Sequence, residues 1–284
     1  MVPRDGKMRR GERLVTKPRD AATVILLRES PDFAGETIEV LMVRRHPDSV
    51  FVPSRYVYPG GALDEDDYLP DMETFCQGLD QKTAQCLIDN ISPPEKALGA
   101  WVAGIRETFE EVGLLLAYER DGSLASSDAK EGAERFALYR RLLAEGRIKL
   151  KEVLENEGLT LATDRLHYFS HWVTPELLPI RYDVRFFVSE APENQEPLHD
   201  GFELVEHRWI KPQDALYEYE HKSFNMVLPT IMTLKELCKF KTVEEVIRST
   251  EGKTIPRILT KMVQKGNQSV EIMPDGSFCG PSPL

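Results

Sequence analysis

The stretch that decides the fold runs from Ile105 to Leu114 and reads Ile-Arg-Glu-Thr-Phe-Glu-Glu-Val-Gly-Leu. Glu107, Glu110 and Glu111 are spaced so that an α-helix would place them on one face. Apolar residues with the same period line the opposite face, which is predicted to be buried: Trp101, Ile105, Phe109, Val112 and Leu116. Like charges at these spacings repel, whereas a divalent cation with oxygen ligands would convert the repulsion into binding. A solvated acidic face is the alternative that three glutamates alone favour.

Composition limits the classes of partner. The chain has 284 residues, enough for one large domain or a domain with a helical addition. Its 41% hydrophobic and 29% charged content is ordinary for a soluble globular protein. The net charge of −11 argues against a nucleic-acid polymer or an anionic membrane as the main partner. A small phosphorylated substrate stays compatible with it, because a bound metal reverses the local sign of the charge.

The cysteines and the first residues bear on the compartment. The four cysteines lack the spacing of a zinc site, which indicates free thiols in a reducing compartment: Cys76, Cys86, Cys238 and Cys279. No apolar run reaches the length of a membrane span. Residues 1–20 carry seven basic and three acidic side chains without an apolar segment, so we interpret them as a flexible basic tail. The expected location is the cytoplasm.

Strand and helix signals alternate irregularly along the rest of the chain. Strands are predicted at 21–28, 37–45, 166–173, 181–188 and 204–210, and the first two form a hairpin. Helices are predicted at 69–90, from Pro94 to about Tyr118, within 129–157, and at 214–219, 229–240 and 243–249. This pattern predicts an α/β fold of the α+β kind, with a mixed sheet covered by helices. The domain is expected to cover 21–250, with 251–284 as a C-terminal extension packed on it.

A glycine pair lies upstream of the glutamates, in Pro59-Gly60-Gly61. Glycine allows positive φ and close approach of the backbone to a ligand. An isolated Gly-Gly is more often a simple β-turn, and the acidic run from Asp64 to Asp67 would ordinarily be a solvated loop.

Gly61 and the run from Arg106 to Gly113 together resemble the box of the Nudix hydrolase family. That box has a glycine, five residues, a glutamate, seven residues, Arg-Glu, an apolar residue, any residue, Glu-Glu, any residue and a glycine. The second half matches at every charged and glycine position. In the first half, Asp67 holds the glutamate position, and Gly61 lies 45 positions before Arg106 instead of 14. The extra segment of about 31 residues is tolerable in a loop, because closure entropy grows slowly with length.

A split box of this kind is similar to the peroxisomal coenzyme A diphosphatase branch of the family. The Phe51-Val-Pro segment and the segment 171–187 are similar too. The resemblance implies a Nudix-like mixed β-sheet sandwiched between helices, with a helical insertion at about 68–94 and added C-terminal helices. Another coenzyme A signature of the family is not met at Val50, Ser54 and Tyr58, so the substrate stays open.

The resemblance also implies the chemistry. Nudix enzymes hydrolyse a diphosphate linked to another moiety, and the ligands of Mg²⁺ or Mn²⁺ would be Glu107, Glu110 and Glu111. Arg106 would orient these carboxylates, since a guanidinium can bind two oxygens at once. Its alternative role is ordinary ion pairing on a helix surface.

Further site residues are less strongly specified. Glu203 is the candidate for the base that activates water, with Glu206 as its rival and a solvated strand-edge glutamate as the alternative for both. His171, at a strand end, is interpreted as a structural residue.

Substrate contacts are expected from Gly60, Gly61, Arg45 and Arg55. Arg44 is a further candidate, and a solvent-facing structural role is the alternative for each arginine.

The predicted substrate is a small nucleoside diphosphate derivative, with coenzyme A or an acyl-coenzyme A first. One alternative keeps the site but takes NADH, ADP-ribose or a nucleotide sugar. Another is a non-catalytic nucleotide-binding module on the same fold. The insertion could serve as a lid, a substrate wall or the contact of a homodimer.

Overall fold

The computed structural model describes residues 16–32, 37–88, 90–126, 130–266, 268–277 and 279–281. Most of the predicted basic tail therefore lies outside the described residues. The first strand already begins at Arg19, inside the range predicted for the tail.

Strands form one large mixed sheet and two small ones. The strands are β1 (Arg19–Glu29), β2 (Ile38–Arg45), β3 (Tyr56–Val57), β4 (Gly60–Ala62), β5 (Ala117–Tyr118), β6 (Thr160–Leu161), β7 (His167–Val173), β8 (Tyr182–Glu190), β9 (Leu204–Ile210), β10 (Arg257–Leu259), β11 (Lys261–Lys265), β12 (Gln268–Ile272) and β13 (Cys279–Pro281). The eight-stranded sheet has the order β10-β7-β8-β1-β2-β3, with β4 paired to β1 and β9 to β2. The β1–β8 and β10–β7 pairs are parallel, and the predicted β1–β2 hairpin is present.

Helices cover both faces of this sheet. They are α1 (Gln81–Leu87), α2 (Pro94–Val112), α3 (Lys130–Ala144), α4 (Leu150–Glu157), α5 (Pro212–Glu220), α6 (Leu228–Leu237) and α7 (Val243–Arg248). One buried cluster joins α2, α4 and one face of the sheet, with Trp101 and Phe109 at its centre. The other joins α5, α6 and α7 to the opposite face. The predicted fold class, including helices after the last central strand, is confirmed.

Helix α2 carries the three glutamates and begins as predicted, with Pro94 in its first turn. It ends at Val112, so the prediction that it continues to about Tyr118 is wrong. Gly113 adopts the left-handed conformation at φ 74°, and its N–H donates to the Phe109 carbonyl. The chain then turns, and Ala117–Tyr118 forms a strand with Thr160–Leu161.

The insertion between the two halves of the box is less helical than predicted for 69–90. It contains short 3₁₀ helices at Glu65–Tyr68 and Met72–Phe75 and one α-helix, α1. Pro70 and Gly78 interrupt the segment, since proline lacks an N–H donor and glycine favours turns. The segment packs on α2 instead of extending away, because Met72, Ala84 and Ile88 are buried in the same cluster as Trp101.

The C-terminal segment adds strands to the fold. β10 extends the large sheet by pairing with β7, and β11, β12 and β13 form a separate antiparallel sheet. Among the described residues, no helix combines the length and the apolar character needed to cross a bilayer.

Candidate active site

Asp67 and Arg106 join the two halves of the split box. The Nε of Arg106 donates to Oδ1 of Asp67 at 2.8 Å, and its Nη2 donates to Oδ2 at 2.9 Å. Both side chains are buried, and the fork geometry is that of a strong bidentate ion pair. The insertion therefore leaves and returns without separating the two halves in space.

The remaining donors of Arg106 reach the neighbouring glutamates. Its Nη1 donates to Glu107 at 2.9 Å and to Glu110 at 3.3 Å, and its Nη2 also donates to the Ala62 carbonyl at 3.0 Å. One guanidinium thus holds two carboxylates of α2 and the β4 strand in a fixed arrangement, in line with the expected orienting role.

The glycine pair lies directly against the carboxylates. The Gly60 N–H donates to Oε2 of Glu111 at 2.9 Å. A Cβ placed on Gly61 would lie 2.4 Å from Oε1 of Glu107. A side chain at position 61 would displace that carboxylate, whereas glycine leaves room for it.

The carboxylates that line one cavity include Glu107, Glu110 and Glu111 from α2 and Glu203 from the loop before β9. Burial raises the pKa of Glu107 to about 7. Burial also raises the pKa of Glu111 well above its usual range, and the charges of Glu107 and Glu203 raise it further. The repulsion that the sequence predicted on one helical face is therefore present in the folded protein, strengthened by desolvation.

The arginines expected at the site occupy different surroundings. Arg45 lines the cavity, its charge lowers the pKa of Glu111, and among the described residues its buried Nε has no hydrogen-bond partner. Arg55 is not among the cavity-lining residues; its charge acts on Tyr219 of α5. Arg44 forms an ion pair with Glu206 at 2.9 Å. Arg45 alone of the three is placed to contact a ligand in the cavity.

The two candidate bases, Glu203 and Glu206, also differ in whether they line the cavity. Glu203 lines the cavity, whereas Glu206 accepts a hydrogen bond from the Tyr56 hydroxyl at 2.8 Å. The cavity therefore favours Glu203. His171 is buried and hydrogen-bonded to Asp183 outside the cavity lining, in line with a structural role.

Arg140 of α3 supports the end of the glutamate helix, a role that was not predicted from the sequence. Its Nε donates to the Glu110 carbonyl at 2.8 Å and its Nη2 to the Glu111 carbonyl at 2.6 Å. These carbonyls belong to the last turn of α2, where unpaired acceptors accumulate and a cation is favourable. Arg140 thereby fixes the helix end that carries the glutamates.

The cavity has a volume of about 380 Å³ and two chemically different ends. The carboxylates, Arg45 and the glycine pair form one end. The other end is mainly apolar and is lined by Phe51, Val52, Trp172, Val173, Val184, Phe186 and Val227. Such a cavity suits a ligand with one highly charged part and one largely neutral part.

The donor chemistry at the charged end fits a hard divalent cation, because the ligands available are carboxylate oxygens. Within the described ranges, no group of three His, Cys, Asp or Glu residues is already arranged around an ion position. Glu107 and Glu110 instead turn towards Arg106, and Glu111 towards the Gly60 amide. A cation would have to draw these carboxylates together.

The mixed sheet, the glutamate helix and the glycine pair define a Nudix fold and site. Residues 18–237 match the family model described as the NUDT19 Nudix domain. The chain therefore belongs to the Nudix family, in the group that this model describes.

Related proteins and a solved structure agree. The acyl-coenzyme A diphosphatase NUDT19 of Xenopus laevis is 26% identical over 75% of this chain, and the protein of that name from Gallus gallus is 24% identical over 84%. The matched stretches span 64% and 72% of those proteins. The crystal structure of a Nudix hydrolase from Alicyclobacillus acidocaldarius is similar, with a TM-score of 0.64 and 28% identity, covering 82% of this chain and 96% of that one.

Proposed function

We propose that the protein is a Mg²⁺- or Mn²⁺-dependent hydrolase that cleaves the diphosphate of coenzyme A or an acyl-coenzyme A. The observation that carries this proposal is the two-ended cavity, in which Arg45 and several carboxylates, among them the three of α2, face one part of a ligand and mainly apolar walls face the other. The relatives named acyl-coenzyme A diphosphatase support the substrate class.

The metal would be held by Glu107, Glu110 and Glu111, and when bound it neutralises phosphate oxygens and positions water. Arg106 orients two of these carboxylates through its hydrogen bonds. Arg45, whose Nε has no partner within the described ranges, would bind a phosphate oxygen.

Glu203 would take the proton of the attacking water. It lines the same cavity as Glu111, and the charges of the two carboxylates interact. A base next to the ligand position is what in-line attack of water on phosphorus requires.

The test is a panel of substrates with Mg²⁺ and identification of the products by mass spectrometry. Coenzyme A should give 3′,5′-ADP and 4′-phosphopantetheine. If the preferred reaction instead releases AMP from NADH or ADP-ribose, the substrate is an adenine dinucleotide or ADP-ribose and not coenzyme A. Metal binding without hydrolysis across the panel would favour a binding module.

Glu111→Gln should lower kcat at least a hundredfold while the melting temperature changes little, because the substitution removes a metal-binding charge and keeps the shape. Glu206→Gln is the matched control, since Glu206 lies outside the cavity lining. Chelation by EDTA should abolish turnover, and added Mg²⁺ should restore it. Turnover like that of the wild type in Glu111→Gln would refute the assignment.

A further inference from the structure

Glu271 brings a carboxyl from the C-terminal sheet to the cavity wall. It lies on β12, only 2% of its surface is exposed, and it lines the same cavity as the α2 glutamates. A carboxyl this deeply buried is unusual without an ionic partner. A metal ion held by the α2 glutamates does not explain why this carboxyl lies in the cavity wall.

The hydrogen bonding of Glu271 is incomplete. Its Oε1 accepts from the Thr260 hydroxyl, and Thr260 also lies 3.4 Å from the Val173 carbonyl. In the part of the chain that the structure describes, Thr260 is the one hydrogen-bond partner of the Glu271 carboxyl, and no cation is paired with it. Burial raises the pKa of Glu271 to about 7, although the hydrogen bond from Thr260 lowers it.

The cavity floor separates Glu271 from the metal end. Alternate residues of β1 and β8 form this floor, because Ala21 is paired with Val184 and Thr23 with Phe186. Gly61 is paired with Ala22 on the β1 side, whereas Thr260 follows β10 on the far side of β7. Three strand spacings of about 4.8 Å place Thr260 on the order of 14 Å from β1.

The cavity thus has a fixed sequence of chemical surfaces. A charged end for a diphosphate and its cation is followed by a mainly apolar floor, and the Glu271 carboxyl lies beyond that floor. A ligand that satisfies all three has a neutral chain beyond the diphosphate, with an N–H or O–H donor far along it. An amide of such a chain suits a partly protonated carboxyl better than a further phosphate, which would meet repulsion.

We infer that Glu271 determines specificity by accepting a hydrogen bond from an amide or hydroxyl of the non-nucleotide arm of the substrate. The inference rests on the proposed function, because it assumes that the diphosphate lies at the α2 glutamates. It makes the C-terminal sheet a wall of the substrate site.

The test uses Glu271→Leu and Glu271→Gln, with Glu251→Gln as the control at an exposed glutamate of the same C-terminal region. Titration calorimetry with 4′-phosphopantetheine measures binding of the arm without any turnover. Affinity should fall at least tenfold in Glu271→Leu, fall less in Glu271→Gln, which retains an acceptor oxygen, and stay unchanged in Glu251→Gln. The fold of each variant is checked by its melting temperature.

Kinetics with coenzyme A provide the second readout. KM should rise at least tenfold in Glu271→Leu with kcat within threefold, because the chemistry at the α2 glutamates is untouched. An unchanged affinity for 4′-phosphopantetheine in Glu271→Leu, or no binding by the wild type, would overturn the inference. Absence of coenzyme A hydrolysis by the wild type would instead overturn the proposed function, so the two failures are distinguishable.

Discussion

Asp183 and Glu271 are both buried carboxyls, and their surroundings are opposite. Asp183 accepts hydrogen bonds from His171 and from both Nε and Nη2 of Arg257, and it lies 3.4 Å from Arg185. Burial acts to raise its pKa, but these partners outweigh burial and lower it to about 2. Glu271 has Thr260 as its donor, and burial prevails, raising its pKa to about 7.

The different surroundings of the two carboxyls indicate a structural role for Asp183 and a binding role for Glu271. The Asp183 cluster is closed around the carboxylate, although the buried Nε of Arg185 has no partner among the described residues: Arg185 also donates to Asp20 at 2.6 Å and to Asn90 at 2.9 Å, so the cluster ties the insertion to β1 and β8. Glu271 is open, with one oxygen left over beside a cavity. A buried carboxyl with all its partners supplied by the protein stabilises the fold, whereas one that lacks partners is available to a ligand.

Breaking the closed cluster should have the largest effect. Arg185→Met would remove the fully buried cation that Asp20 and Asp183 share and leave them the partly exposed Lys96 and Arg257, and the free energy of unfolding should fall on the order of 3–5 kcal/mol. Urea unfolding measures the loss, and kcat per folded molecule should stay within twofold. Arg248→Met, which removes an exposed ion pair with Glu244, is the control and should cost less than about 1 kcal/mol. Equal losses of unfolding free energy in Arg185→Met and Arg248→Met would contradict a stabilising role for the Asp183 cluster.

Glu271→Gln should differ from the wild type in how its stability depends on pH. Because the pKa is raised from 4.5 to about 7, Glu271 stays protonated up to a higher pH in the folded wild type than in the unfolded chain. The wild type should therefore lose stability relative to Glu271→Gln as the pH rises from about 4.5 through about 7, on the order of 3 kcal/mol in all. Thermal unfolding at pH 5, 6 and 8 checks this, and a pH-independent difference would refute it.

Asp183→Asn should show the opposite pH dependence. The pKa of Asp183 is lowered from 3.8 to about 2, so the ionised carboxylate stabilises the fold above about pH 4. That contribution, roughly 2 kcal/mol, is lost as the pH falls through about 2. The stability gap between wild type and variant should be constant from pH 7 to pH 5 and narrow below pH 4 in denaturant unfolding. A gap that widens in acid would argue against a charged Asp183.

Arg140→Met tests a half-buried cation that binds neutral carbonyls instead of carboxylates. The expected loss is smaller, about 1–2 kcal/mol, because the freed carbonyls at the end of α2 carry partial charges only. Denaturant unfolding measures it, with Arg141→Met on the same helix as the control. A loss as large as that of Arg185→Met would show that the charge of the acceptor does not determine how much stability is lost.

The sequence predicted the central part of the site because its signal is local. The period of the apolar residues identified the buried face of α2, and the box identified Gly61 and the glutamates. The end of α2 was misplaced because Leu114, Leu115 and Leu116 continue an apolar pattern after Gly113, and all three are buried although not helical. Apolar periodicity alone does not report where a left-handed glycine stops the helix.

Other parts of the site depend on contacts between distant segments. Arg140 lies on an amphipathic helix whose sequence does not specify which helix end it reaches. The segment after Thr254 forms strands of three to five residues, too short for a clear alternating pattern. Glu271 therefore gave no signal, since its burial arises only when β12 folds against the end of the cavity.

The position of Glu271 has a consequence for sorting relatives by substrate. The family match ends at residue 237, before the strand that carries this side chain. Relatives that agree throughout the matched segment can still differ in the wall opposite the metal end. With the role inferred for Glu271, catalytic chemistry and substrate preference can diverge independently during evolution, and alignments trimmed to the shared domain would group enzymes that act on different molecules.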